Sequence, residues 1–385
     1  MRTASLSDVC DISMGQAPKG TSYNTEGTGY PLLAGAGDFG DLTPASSKFT
    51  VQPTKVSKQH DILLCIRATI GDLNWSDKEY CLGRGVAGLR PKNGCLDRNY
   101  LWRWLTFARP ALEQKARGST FKQVSRKDIA ELEISLPETL EEQRRIAAIL
   151  DKADAIRRKR EQALALADDL LKSTFLDMFG DPVTNPKGWP TATLDDLGDV
   201  QGGLQVSRKR DANELKLPYL RVANVFRDRL ELDEIKMIGL TSKERERVAL
   251  RKGDVLIVEG HGNPDEIGRS AVWDGSIEDC VHQNHLIRFR PIPGKLDPEY
   301  ASRLLNSTGG RLQLVAAGRT TSGLNTISTS KVKAVTIPVP PFGLQTRFHE
   351  FCDQVSALKS KLSAASELGS DLFGSLSQRA FRGEL

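Results

Sequence analysis

The chain has 385 residues, enough for two domains of ordinary size, each able to bury its own core. Its composition is globular, 39% hydrophobic and 27% charged, and a net charge of +5 admits a polyanionic partner without demanding one. Six scattered cysteines without a C-x-x-C pair, and no histidine at zinc-finger spacing, argue against a structural metal and for a reducing compartment.

From the N-terminus, no apolar core of a signal peptide occurs in the first 15 residues, and no run of about 18 apolar residues occurs later. The expected location is cytoplasmic, without membrane contact. Asp61-Ile-Leu-Leu-Cys-Ile66 reads as a short, buried strand, followed by Ile70-Gly71 and Trp75. A further strand ends in Leu89-Arg-Pro91, and a helix opens near Leu96 with Asp97 as its expected N-cap. Polar Gly118-Ser-Thr-Phe121 leads to Val124, and apolar Ile134-Ser-Leu-Pro137 runs into a long helical stretch, 144–179. The segment Phe179-Gly-Asp-Pro-Val-Thr-Asn-Pro-Lys-Gly-Trp-Pro190 is turn chemistry and marks a boundary.

Beyond that boundary the same order returns. Asp254-Val-Leu-Ile-Val258, Ile267-Gly268, Trp273 and Phe289-Arg-Pro291 match the first half in type and sequence. A helix near Leu296 follows, with Asp297 as N-cap and Pro298 at its first position. Polar Ser322-Gly-Leu324 leads to Ile327, and Ile337-Pro-Val-Pro340 runs into a second long helix, 346–381. The offset is 188 from Leu6 to Leu194, 200 from Leu96 to Leu296 and 202 from Gln143 to Gln345. A repeat this long is a duplicated module and not a solenoid, whose units run to about 20–50 residues.

Both long helices carry a seven-residue period. Ile149, Ala153, Ile156, Arg160, Ala163, Ala167, Leu170 and Thr174 form one stripe, and Phe351, Val355, Leu358, Leu362, Ala365, Gly369, Leu372 and Leu376 the other. Two such stripes in one chain most simply pair with each other. A helix of about 35 residues is about 50 Å long, and antiparallel pairing would place the two heads at opposite ends. Arg160, inside its stripe, is expected to fix register. The expected fold is mixed α/β, with two tandem recognition domains joined by two long helices that form an antiparallel coiled coil. The expected divisions are 1–138, a helix over 139–180, 181–341, and a second helix over 342–385.

Catalytic motifs are missing. There is no P-loop and no strand–G-x-G-x-x-G–helix, and Asn263-Pro-Asp-Glu266 lacks the aromatic of an adenine-methyltransferase tetrapeptide. The five histidines form no metal pattern; His282-Gln-Asn-His285 lies in strand or loop surroundings. No cofactor and no metal site are expected on this chain.

Three segments resemble signatures of the specificity subunits of type I restriction-modification systems. They are Leu217-Pro-Tyr-Leu-Arg-Val-Ala-Asn-Val225, Leu140-Glu-Glu-Gln-Arg-Arg-Ile146 and Met178-Phe-Gly-Asp-Pro-Val-Thr-Asn-Pro-Lys-Gly-Trp189. The order of head, helix, head, helix is similar to that family over essentially the whole chain. The resemblance implies a non-catalytic subunit that binds double-stranded DNA and reads one half of a bipartite, asymmetric site with each head. It further implies two methylation subunits that bind S-adenosylmethionine, and restriction subunits that use ATP and Mg. The first head departs from the signature with Tyr30-Pro-Leu-Leu-Ala-Gly-Ala-Gly37, and the second helix entry, Phe342-Gly-Leu-Gln-Thr-Arg347, lacks the double Glu. A structural adaptor bridging two protein partners without DNA is the alternative.

Base readout needs donors and acceptors on loops, and phosphate contact needs cations or backbone amides. In the first head the candidates are Lys19, Tyr23, Arg67, Thr69, Arg84, Lys122, Gln123 and Arg126. In the second they are Arg208, Lys209, Arg210, His261, Asn263, Arg269, His282, Gln283, Asn284, Arg319 and Asn325. Phosphate roles suit Lys19, Lys122, Arg208, Lys209 and Arg210; base-edge roles suit Arg67, Arg84, Asn263, Gln283 and Asn284. Arg221 and Asn224 belong to the signature and are read as framework. Glu141, Glu142, Gln143, Arg144, Gln345 and Arg347 are the candidates for docking a partner.

Overall fold

The computed structural model describes residues 1–92, 94–118, 122–318 and 326–385. The chain forms two compact units, Met1–Gln162 with Ser363–Leu385, and Ala163–Leu362. Each is built on the same plan.

In the first unit a four-stranded antiparallel sheet has the order Cys10–Met14, Val86–Pro91, Ile62–Cys65, Leu73–Trp75. The strand Ile62–Cys65 is buried at every position, because both of its faces are covered. Ile62 and Leu64 pack with Tyr100, Leu101 and Leu105 of the helix Arg98–Gln114, whereas Leu63 packs with Leu33, Tyr80 and Leu82 on the other side. In the second unit the order is Gly198–Gly202, Leu286–Pro291, Val255–Val258, Ser270–Val272. Val255 and Ile257 face the helix Pro298–Asn306, while Leu256 and Val258 pack with Trp273 and Leu286. Both helices open as expected: Asp97 accepts from the amides of Asn99 and Tyr100, and Asp297 from those of Glu299 and Tyr300.

The framework is duplicated down to single hydrogen bonds. Arg90 grips Asp61 with two bonds of 2.7 Å, and Arg290 grips Asp254 at 2.6 and 2.7 Å. The Tyr100 hydroxyl donates to the carbonyl of Ser135 at 2.6 Å, and that of Tyr300 to Pro338 at 2.9 Å. These pairs fix the register of sheet, helix and closing strand in both units.

The central helix, Leu140–Phe179, and the C-terminal helix, Phe342–Arg382, have 40 and 41 residues, each about 60 Å long. Each unit contains one part of both, running antiparallel. In the first unit Arg160 donates to the carbonyl of Ala365 at 2.6 Å, and Ala380 and Phe381 complete the core around Ile146, Ala147 and Leu150. In the second, Lys359 pairs with Asp168 at 2.5 Å, and Phe175 and Phe179 pack edge-on against Phe348. The seven-residue period is present, and Ala167 and Val355 of the expected stripes are buried, but four of the apolar positions in those stripes face outward. Ile156 and Leu170 of the first stripe, and Leu358 and Leu372 of the second, are about half exposed. The inward positions include Ala147, Leu150, Asp154, Ala167, Leu171 and Phe175. Asp154, a polar inward position, is buried with Arg103, Arg157 and Arg158 around its carboxylate at 2.8–3.1 Å. Burial works against that charge, but hydrogen bonds from Arg103 and Arg157 outweigh it and hold the carboxyl below its ordinary range. Arg160 does sit in the seam, over Gly369; a Cβ at Gly369 would lie 2.6 Å from the guanidinium.

Among the described residues, no helix is long and apolar enough to cross a membrane, and no group of three His, Cys, Asp or Glu side chains could hold a metal ion.

Candidate nucleic-acid interface

In each unit the candidate residues gather at the sheet edge where the second-listed strand begins and the third ends. In the first unit this edge is closed by backbone bonds: the amide of Ile66 donates to Gly85 at 2.9 Å, that of Val124 to Ile66 at 3.1 Å, and that of Gly83 to Leu33 at 2.8 Å. Arg84 is exposed between two glycines that have no room for a side chain. A Cβ would meet the carbonyl oxygen of Leu33 at 2.7 Å from Gly83 and that of Ala34 at 2.2 Å from Gly85. Arg67 and Thr69 project from the loop that leaves Ile62–Cys65, flanking Ala68, a left-handed residue at φ 59°. The amide of Ala68 donates to the carbonyl of Lys122 at 3.2 Å, and Arg67 Nε to Gln123 Oε1 at 2.8 Å. Lys19 and Tyr23 follow the strand Cys10–Met14, whose continuation is tied to the same edge by Gly15 to Val86 at 2.9 Å and Gln16 to Leu82 at 2.8 Å. Arg126 is exposed at the start of the short helix Arg126–Ala130.

The corresponding edge of the second unit carries more polar groups. His261 and Asn263 are exposed on the loop between Val255–Val258 and Ser270–Val272. The loop is shaped by its own side chains: His261 Nδ1 accepts from the Asn263 amide at 3.0 Å, and Asn263 Oδ1 from the Asp265 amide at 3.0 Å. Gln283 and Asn284 lie half-buried on the neighbouring turn, whose amides donate to Leu220 and Leu204 at 3.0 and 2.8 Å. Arg208 and Lys209 are exposed on the turn Arg208–Ala212 beside them.

Several candidates are placed elsewhere. His282 is fully buried, with its ring nitrogens 3.2 Å from the Val248 carbonyl and 3.4 Å from that of Gln201. Desolvation pushes it down to about 4, so it is a neutral core side chain and not a surface reader. Arg269 is also buried, bound to Glu266 at 2.7 Å and to the Val222 carbonyl at 2.9 Å over the ring of Phe226. Arg210 is spent on Glu244, at 2.9 and 3.1 Å, and its hydrogen bonds, with the Thr241 amide, lower Glu244 to about 2. Arg319 and Asn325 lie outside the described residues. In the signature, Asn224 is buried and donates to the carbonyls of Glu231 and Glu234, and Arg221 pairs with Glu234 at 2.7 Å.

The docking set divides in the same way. Glu141, Arg144 and Arg347 are exposed, and Glu142 pairs with Arg145 at 2.7 Å. Gln143 and Gln345 are buried. Gln143 Oε1 accepts from the Asp97 amide at 2.7 Å, and Gln345 Oε1 from the Asp297 amide at 2.9 Å. They pin each long helix to its head and present nothing to a partner. Their equivalence was visible in the 202-residue offset, but their burial was not.

The duplicated architecture has a counterpart in sequence. The family described as type I restriction modification DNA specificity domain matches residues 1–166 and again residues 186–367. The chain belongs to this type I DNA specificity family. Its members are specificity subunits, which are non-catalytic, and the match favours recognition of DNA over a protein-bridging adaptor. A relative from Methanocaldococcus jannaschii, named as the MjaX specificity subunit of a type I restriction enzyme, is 38% identical over 155 residues. That match takes in 39% of this chain and little more than a third, 36%, of the archaeal protein. The StySPI specificity subunit of Salmonella potsdam is 24% identical over 327 residues, 80% of this chain and 69% of that one. Among solved structures, the S subunit of a type I system from M. genitalium superposes with a TM-score of 0.59 at 15% identity, covering 99% of this chain and 96% of the other. A chain from a study of complex assembly in a type I R-M system gives 0.62 at 19% identity, covering 100% and 98%. These two likenesses concern the specificity-family fold alone.

Proposed function

We propose that each unit reads one half of a bipartite, asymmetric DNA site, and that the paired helices set the gap between halves and dock methylation subunits. The observation that carries this reading is that two specificity domains in one chain bring different polar and basic loops to the corresponding sheet edge of each unit. The first edge offers Arg67, Arg84 and Gln123, and the second His261, Asn263, Gln283 and Asn284, so the two half-sites differ. Phosphate contacts fall to Lys19, Lys122, Arg208 and Lys209, which are exposed beside those loops.

Exposed apolar side chains on the helices support docking of partner subunits. Ile156, Leu368 and Leu372 stand out from the first unit, and Leu166, Leu170 and Leu358 from the second. S-adenosylmethionine belongs on the methylation subunits, and ATP with Mg on restriction subunits where these are present. The divisions at 139, 181 and 342 separate the reading segments from the spacing helices.

Single-molecule sequencing of DNA methylation, in a host with and without this gene and with its partner subunits expressed, tests the reading. Loss of one motif made of two unlike halves around a fixed gap is the expected result. An unchanged methylome, with active partner subunits, would refute it.

A further inference from the structure

The loop that carries His261 and Asn263 is held from beneath by three arginines drawn from three elements. Arg227 comes from the turn between Val225–Phe226 and Arg229–Leu230, Arg269 from the end of the loop itself, and Arg311 from the helix Thr308–Gly318. Arg227 and Arg311 both donate to one acceptor, the carbonyl of Asp265, Arg311 at 3.0 Å. Arg269 binds Glu266, and its guanidinium lies 4.7 Å from the centre of the Phe226 ring.

Among the described residues, acceptors are too few for these donors. Arg227 Nη1, Arg269 Nε and Arg311 Nε are buried without a hydrogen-bond partner among the described residues. Three cations face two carboxylates here. Asp228, the next acid, is committed to Ser302, Asn306 and Arg303 at 2.7–3.3 Å. One of the two carboxylates is weakly held: Asp265 is 84% exposed and reaches Arg311 at 3.3 Å, a screened pair that another anion can replace. Burial and the Arg311 charge both work against the Arg227 cation, which adds to the demand for an anion.

We propose that Arg227, Arg269 and Arg311 form a binding site for one DNA backbone phosphate, which takes the place of the Asp265 carboxylate and locks the loop carrying His261 and Asn263 onto its half-site. A phosphodiester has the shape for this: one charge spread over two oxygens that accept from guanidinium forks. Only Arg269 of the three stands out as a candidate in the sequence, and base contact is not its role. The proposal rests on the DNA-reading function above, and its test separates the two.

Binding of the full chain is measured against a duplex bearing its methylation motif and an unrelated duplex, over a range of salt. Arg311→Gln and Arg227→Gln are expected to weaken both duplexes about 10-fold alike, and to make the slope of log affinity against log salt shallower by about one. Arg311→Lys keeps the slope. Asp265→Asn binds more tightly than the parent, a gain that no misfolded chain can give. Arginine variants with the parent slope, together with an Asp265→Asn variant no tighter than the parent, would overturn the phosphate site while leaving DNA reading intact. A parent chain without salt-dependent binding would overturn both, and shows itself before any variant is made.

Discussion

At the scale of residues, exposure separates the proposed readers from the framework. Asn263 is exposed, with its Oδ1 held by the Asp265 amide and its Nδ2 left to donate to a base, so Asn263→Ala should relax discrimination at one position by about 1 kcal/mol. Competition between duplexes that differ at single positions measures this. His282 governs stability instead. Its pKa is depressed by desolvation to about 4, so an unfolded chain binds a proton near the ordinary value of 6.5 that the folded chain refuses. The contribution is fully present above pH 6.5 and is lost as pH falls toward 4. Urea unfolding of the parent should therefore shift to lower midpoints between pH 7 and pH 5 (about the range over which an ordinary histidine charges). His282→Gln should flatten that part of the profile. His349 has the opposite sign. Its bond to Asp297 at 2.8 Å raises its pKa, so its contribution is complete below 6.5 and lost as pH rises through the folded value.

At the scale of elements, the two buried glutamines tie each long helix to its head. Gln143→Ala and Gln345→Ala each leave an amide without its acceptor, half-buried at Asp97 and buried at Asp297, a cost of about 1–3 kcal/mol that is larger for Gln345. Thermal melting of the full chain should show the loss. Gly369→Leu should do the same by driving Arg160 out of the seam. Sheet strands and helix starts were legible in the sequence because their signals are local: four apolar residues over 62–65 and 255–258, and an Asp one residue before each helix. Which helix positions face inward was legible only in part, as at Ala167 and Val355. Ile156, Leu170, Leu358 and Leu372 repeat at heptad spacing as regularly as the buried row, and polar Gln143 and Asp154 enter the buried row through partners distant in sequence. The same distance hid the arginines under the 259–269 loop, since Arg227 and Arg311 meet only at Asp265.

At the scale of the molecule, the duplication lets the two recognition edges vary independently on one framework. Substitutions at Arg67 or Gln123 should change one half of the methylated motif and leave the other half as it was, which methylome sequencing reads directly. The units differ in how the chain builds them. The second is continuous, Ala163–Leu362, whereas the first waits for Ser363–Leu385 to supply Ala380 and Phe381 to its core. A stop after Leu362 should leave the strand Ile62–Cys65 poorly protected in hydrogen exchange while Val255–Val258 stays protected. On the ribosome the order of synthesis and the order of completion are thus reversed. The head made first stays unfinished while about 200 further residues emerge, roughly 10–40 s at ordinary elongation rates, and the head made second closes before it.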